Sequence, residues 1–240
     1  MILSKNNPKF KKLKKLLSKK YRNLYQEFLI FGKNIIQEAE KKEIISELYT
    51  INPNKEKGIL IQKTLMKNLN KNKVLYSQVA VCRMTQKTIE TNKILALDDV
   101  QDPKNAGVLM RSACAFGFRH IFFSSKSVDY YNEKTIRSSQ GAIFNLFLER
   151  GNIKKFIISQ KEKKYHIFSA CVYEKNIDLN KINKIFLKNK KIILVLGNEG
   201  IGISNEIKNI SDYFLHIKTN PIESLNVSVA GSILMYLLRY

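Results

Sequence analysis

The chain is 240 residues long, 44% hydrophobic, and carries 42 Lys and Arg against 20 Asp and Glu, a formal charge of +22. That length allows one or two domains with real apolar cores, and the charge points to a polyanionic partner, nucleic acid ahead of a membrane surface. No apolar run is long enough to span a bilayer, and the lysine cluster at residues 9–20 lacks the apolar segment of a secretory signal, so a soluble, cytoplasmic protein is expected.

The charge is unevenly spread. Residues 1–90 hold 20 Lys and Arg against 7 Asp and Glu, net +13, which leaves 22 against 13, net +9, for the longer remainder. Cys82, Cys114 and Cys171 have no paired metal-ligand spacing and an odd count, which suits reduced thiols acting as small core residues.

In chain order, Phe10, Leu13, Leu16, Leu17 and Tyr21 recur at helical spacing while lysines and Arg22 cover the other face, predicting one cationic amphipathic helix. A strand is predicted over residues 28–32, a helix over 34–42, a strand over 44–49, a helix over 55–63 and a strand over 74–82. This is a compact α/β module, bounded by a polar linker at 86–92. From Lys93 the alternation is more regular: strands at 94–97, 121–123, 146–148, 167–172 and 192–196, with helices after residue 105, at 132–141 and at 154–164. Strand and helix taking turns predicts an α/β fold with a mostly parallel sheet. The final segment enters a polar turn at Ser224 and opens a helix with Val229, Ile233 and Leu237 as its apolar stripe; Asn226 and Ser228 on its first turn have the simple reading of helix caps.

Residues 192–196 form a β-branched run that reads as a strand buried on both faces, and it ends in three glycines within six residues, Gly197, Gly200 and Gly202. Glu199 stands between two of them, an acid at the carboxyl end of a strand, where open α/β sheets bind ligands. A tight strand-to-helix turn with no ligand would carry the same glycines.

Three stretches together resemble the ordered motifs of the SpoU/TrmH family of RNA 2′-O-ribose methyltransferases. They are Asp98-Asp99-Val100-Gln101-Asp102-Pro103-Lys104-Asn105-Ala106-Gly107 through Arg111, then Gly197-Asn198-Glu199-Gly200-Ile201-Gly202, then Glu223-Ser224-Leu225-Asn226-Val227-Ser228-Val229-Ala230. The resemblance covers about residues 93–240. Residues 1–88, with Ser4, Asn7-Pro8, the basic cluster and the strand at 28–32, more weakly resemble the small RNA substrate-binding domain that many members place ahead of the catalytic one.

The resemblance implies a catalytic domain over 93–240 whose carboxyl-terminal segment is threaded as a trefoil knot, with S-adenosylmethionine bent into the knotted loops. It implies a homodimer and methyl transfer to a ribose 2′-hydroxyl, of large-subunit rRNA before tRNA. A non-catalytic RNA-binding assembly factor on the same fold is the alternative from another class. Carried over, the catalytic residues are Asn105, Arg111, Glu199, Ser224 and Asn226, and the donor-binding residues are Gly197, Asn198, Gly202, Ile217, Leu225 and Asn226. A guanidinium with a pKa above about 12 is a poor base, so Arg111 is read as gripping a phosphate and stabilising the forming alkoxide. The chain departs from the family where Ile217 is followed by Lys218 and Pro221 is displaced; substrate selection is expected to fall to residues 1–90 and the basic surface.

Overall fold

The computed structural model describes residues 1–54, 56–70, 74–85, 88–171, 176–177, 179, 190–222 and 224–239. Asn7 opens helix α1 (Pro8–Leu16) by accepting the Lys9 N–H at 2.9 Å, and the helix buries Phe10, Leu13 and Leu16. The single helix expected to run on through Tyr21 is instead two, α2 (Lys19–Tyr25) following after Leu17 and Ser18. Arg22 accounts for the break: its buried guanidinium donates to the carbonyls of Leu16 and Leu17 at 3.0 and 2.9 Å, ending α1 there.

Strands β1 (Glu27–Phe31), β2 (Ile45–Thr50), β3 (Ile59–Leu60) and β4 (Gln78–Arg83) form a four-stranded sheet in the order β1-β4-β2-β3, with α3 (Lys33–Glu40) and α4 (Lys63–Lys67) between them. The helix expected at 55–63 is overturned in its described part. The Ile61 N–H bonds to the Thr50 carbonyl and the Ile2 N–H to the Leu60 carbonyl, so this backbone is drawn out along β2 and turns helical only at Lys63; Lys55 lies outside the described residues. Strand β4 starts later than expected because the Asn70 side chain folds back on the backbone of Val74, donating to its carbonyl at 2.7 Å and accepting its N–H at 2.9 Å.

Among the described residues the second sheet has seven strands, all parallel: β5 (Lys93–Leu97), β6 (His120–Ser124), β7 (Phe147–Gly151), β8 (Tyr165–Ala170), β9 (Asn176–Ile177), β10 (Lys191–Leu196) and β11 (Tyr213–Leu215), in the order β7-β6-β5-β10-β8-β11-β9. The last residue of the strand expected at 167–172 lies outside the described residues. Helices α5 (Pro103–Ala115), α6 (Glu133–Ser139), α7 (Ile153–Glu162), α8 (Asn205–Lys208) and α9 (Val227–Leu237) accompany it. Central β10 is buried on both faces as expected: Ile192, Leu194 and Leu196 join the core under α5 and α9, Ile193 and Val195 the core under α7.

The core under α5 continues into the first sheet through Phe28, Ile30, Ala80 and Cys82. Phe28 packs its ring 4.6 Å from that of Tyr131, and Arg22 forms an ion pair with Asp129, in the turn that follows β6. The stripe on α9 does not face inward as a whole: Val229 and Ile233 are exposed, and the buried residues are Ser228, Gly231, Leu234 and Met235. Close approach at Gly231 sets this rotation, since a Cβ there would lie 2.4 Å from Leu196 and 2.5 Å from Leu109. No helix among the described residues is long and apolar enough to cross a membrane.

Candidate active site

Strand β10 ends at Leu196, and the chain doubles back at once. Asn198 and Gly202 exchange backbone hydrogen bonds of 3.0 Å, and the Asn198 carboxamide oxygen accepts the N–H groups of Gly200 and Ile201. Gly197 is required by this turn itself, because a Cβ there would lie 2.3 Å from the Gly202 carbonyl carbon. Gly202 has φ +71°, a left-handed conformation that glycine adopts without strain.

This loop is tied to the one after β5. Buried Asp98 accepts the Ser204 N–H at 2.8 Å, and the Asn198 side-chain amide donates to the Asp99 carbonyl at 2.9 Å. Asp102 caps α5 by accepting the N–H groups of Lys104 and Asn105, and so fixes where Asn105 emerges on the first turn. The Glu199 carboxylate then receives three donors from that corner: the backbone N–H groups of Gln101 and Asp102 at 3.2 and 3.1 Å, and the Asn105 side-chain amide at 3.1 Å. Partial burial would raise its carboxyl pKa, but the hydrogen bond from Asn105 and those from the backbone outweigh it and hold it below the usual carboxylate value.

The third loop arrives from the end of the chain. Asn226 is the N-cap of α9, its carboxamide oxygen accepting both the N–H and the hydroxyl of Ser228 at 2.9 and 2.7 Å. With the oxygen so engaged, the amide nitrogen turns outward and donates to the Asn105 oxygen at 3.2 Å. Asn226 is thus a cap and a site residue together. The result is a directional relay in which Ser228 orients Asn226, Asn226 binds Asn105, and Asn105 binds Glu199.

Beside the relay lies a pocket of about 540 Å³, within the range of about 300–1,000 Å³ usual for small-molecule sites. One wall is residues 196–203, another is residues 215–217, and a third is residues 224–227 with Ala230 and Leu234 of α9; Lys208 adds a cation to the rim. Gly197, Asn198, Glu199, Gly202, Ile217, Ser224, Leu225 and Asn226 all line it, and Asn105 joins them through Glu199 and Asn226. Arg111 does not line it. It stands on the exposed flank of α5, one turn beyond Val108, with no side-chain hydrogen bond or ion pair among the described residues. Six positions along a helix rotate a side chain by about 240°, so Arg111 and Asn105 face different ways. Asp98 and Lys208 were not singled out from sequence, and Ser228 was read there only as a helix cap; Asp98, an acid closing a buried strand just before a turn, carried a signal of its own.

The SpoU rRNA Methylase family model matches residues 92–236. The chain is 31% identical to the 23S rRNA (guanosine(2553)-2′-O)-methyltransferase RlmP of Bacillus subtilis over 99% of this chain and 98% of that one. It is 28% identical to the 23S rRNA (guanosine-2′-O-)-methyltransferase RlmB of Coxiella burnetii over 80% of this chain and 72% of that one. Its fold matches that of the AdoMet-bound rRNA methyltransferase from Sinorhizobium meliloti with a TM-score of 0.85 at 22% identity, covering 99% of this chain and 96% of that one. By the family match over most of its length and the relative aligned from end to end, this chain belongs to the SpoU rRNA methylase family.

Proposed function

We propose that the protein transfers a methyl group from S-adenosylmethionine to a ribose 2′-hydroxyl of large-subunit ribosomal RNA. The single observation that carries this reading is the relay from Glu199 through Asn105 to Asn226, assembled at the rim of a pocket of suitable size by three loops far apart in the chain. A binding-only protein has no use for so directed a set of donors and acceptors. The relatives named for 2′-O-methylation of 23S rRNA favour rRNA over tRNA as substrate.

The residues present suit the donor. Leu196, Leu215, Ile217, Leu225 and Leu234 supply apolar walls, Gly200 and Gly202 leave backbone open to contact, and Glu199 puts a carboxylate on the lining that would suit a positively charged ligand. S-adenosylmethionine supplies a methyl group on a positively charged sulfur that leaves readily, so the protein's task is alignment of the two reactants. Gly197, Asn198, Gly202, Ile217, Leu225 and Asn226 hold the donor; Ser224, Asn226 and Asn105 orient the ribose; Glu199 keeps Asn105 in place. Arg111 binds the adjoining phosphate and steadies the forming alkoxide, and the proton leaves to water or a phosphate oxygen.

The protein works as a homodimer in this reading. Val108 of α5 and Val229, Ile233 and Tyr236 of α9 are between 38% and 49% exposed on adjoining helices, joined by a 2.7 Å bond between the Ser112 and Ser232 hydroxyls. A second copy seated there would cover the patch and receive Arg111 beside it. Residues 1–88 serve as the RNA-binding unit and 93–240 as the catalytic one, with the terminal segment threaded as a trefoil knot; Gly231 packed between Leu196 and Leu109 suits such tight passage. Incubation with labelled donor and separate rRNA and tRNA pools, followed by mapping of alkali-resistant linkages, tests reaction and substrate together. Absence of donor binding by calorimetry would refute the enzymatic reading.

A further inference from the structure

The corner between α1 and α2 has a composition that the fold does not require. Residues 8–25 contain seven Lys and one Arg and no acid. Some of this charge is internally matched: Lys12 bridges Glu27 and Glu47, and Lys14 donates to the Asn68 carbonyl. Lys15, Lys19 and Lys20 are exposed and make no ion pair among the described residues. Between them lie two aromatic rings. Tyr21 and Tyr25, one turn apart on α2, have centroids 6.1 Å apart at an interplanar angle of 20°, and the Lys15 and Lys20 ammonium groups lie 5.4 and 5.8 Å from the Tyr21 centroid. Leu24 beside them is 67% exposed.

This surface is also held in a fixed relation to the catalytic sheet. Arg22, in the same helix, ties α2 to the end of α1 and to Asp129 beyond β6. Leu17 and Arg22 share a crevice with Pro103 and residues 131–134, the first turns of α5 and α6. The helix that carries Asn105 therefore begins beside the tyrosines' own support, and exposed Lys104 and Lys134 continue the cationic path toward it.

We propose that the α1–α2 corner is a docking site for unpaired RNA nucleotides flanking the one to be methylated, with a base lying against Tyr21 and Tyr25 and its neighbouring phosphates at Lys15, Lys19 and Lys20. An aromatic pair on an exposed corner, set among cations that make no ion pair among the described residues, fits single-stranded RNA, whose bases offer free faces; in a duplex those faces are hidden in the stack. The proposal rests on RNA being the substrate and adds which structural state of RNA is gripped, and where.

The test uses the full chain, with a short unstructured RNA and an RNA duplex of the same length as probes in fluorescence anisotropy, and S-adenosylmethionine binding measured alongside. Tyr21→Leu/Tyr25→Leu should weaken the unpaired RNA about ten-fold or more, leave the duplex nearly unchanged and leave donor affinity unchanged, while Tyr21→Phe/Tyr25→Phe should bind like the parent. Lys15→Gln/Lys19→Gln/Lys20→Gln alters only exposed side chains and should reduce the slope of log affinity against log salt by about 2 for the unpaired probe. Parental affinity in the Leu pair, equal losses on both probes, or an unchanged salt slope in the Gln triple would overturn the proposal. Failure of the parent to bind S-adenosylmethionine would instead sink the enzymatic reading, with the RNA measurements still deciding this one.

Discussion

Asn226 donates its side-chain amide to the Asn105 oxygen across 3.2 Å, and so joins the cap of the last helix to the first turn of a helix 121 positions earlier in the chain. One carboxamide does two jobs, since its oxygen starts α9 while its nitrogen completes the rim of the pocket. The two jobs can be separated by mutation.

Asn226→Ser keeps a capping oxygen and loses the amide donor, so its stability should stay near the parent's while methyl transfer falls sharply. Asn226→Ala loses both, and its unfolding free energy should drop by about 1 kcal/mol as well. Urea unfolding and initial transfer rates on the two variants measure the split; equal stability of Ser and Ala variants would deny Asn226 its capping role.

Arg111 is exposed and has no side-chain partner among the described residues, so Arg111→Ala should leave the unfolding free energy within about 0.5 kcal/mol of the parent's. Methyl transfer should be lost, with RNA affinity reduced only a few-fold. Parental activity in this variant would reject its assigned contact with the phosphate and alkoxide.

Glu199 is held below the ordinary carboxyl value of 4.5, so the folded protein binds fewer protons there than the unfolded chain does. Its stabilising contribution is then complete above the unfolded value and disappears as pH falls through the lower, folded one. Urea midpoints measured from pH 6 downward, a span of about two units, should decline more steeply for the parent than for Glu199→Gln. Parallel curves would show that the carboxylate's hydrogen bonds do not stabilise the loop.

Gly197→Ala places a Cβ 2.3 Å from backbone that cannot swing aside, and should cost about 2 kcal/mol or more together with donor binding. Gly200→Ala, whose nearest neighbour is the Asn198 oxygen at 3.6 Å, should be tolerated in stability. Calorimetric titration with S-adenosylmethionine and thermal unfolding distinguish the two.

Arg22 and Asp129 form a largely buried pair, with side chains 8% and 16% exposed. Asp129→Ala should destabilise by about 3 kcal/mol because it leaves the buried guanidinium without its counter-charge, whereas Asp129→Asn, which keeps an acceptor for Arg22, should lose less. Equal losses in the two variants would mean that the charge on Asp129, and not an acceptor alone, carries the effect.

The parallel sheet was legible because its strands are continuous apolar runs set apart by Pro, Gly and Asn, a pattern produced by burial on both faces. The three site loops were legible as motifs for a similar reason: glycines and polar caps at the ends of buried strands have few other uses. The first helix was misjudged because its apolar spacing runs unbroken past the point where Arg22, folding back, ends it. At residues 59–60 the local sequence permits a helix, and pairing with Thr50 and Ile2 decided for a strand.

Sequence alone determined the cationic surface, the parallel α/β order and the residue types at the pocket, since charge, periodicity and turn chemistry act over a few neighbouring positions. Only the tertiary structure decided that Asn105, Glu199 and Asn226 bond to one another, that Arg111 faces away from them, and that Val229 and Ile233 point to solvent. Those outcomes depend on how α5 and α9 rotate against β10, and that rotation is set by the contact of Gly231 with Leu196 and Leu109, a fit between distant segments that no local pattern encodes.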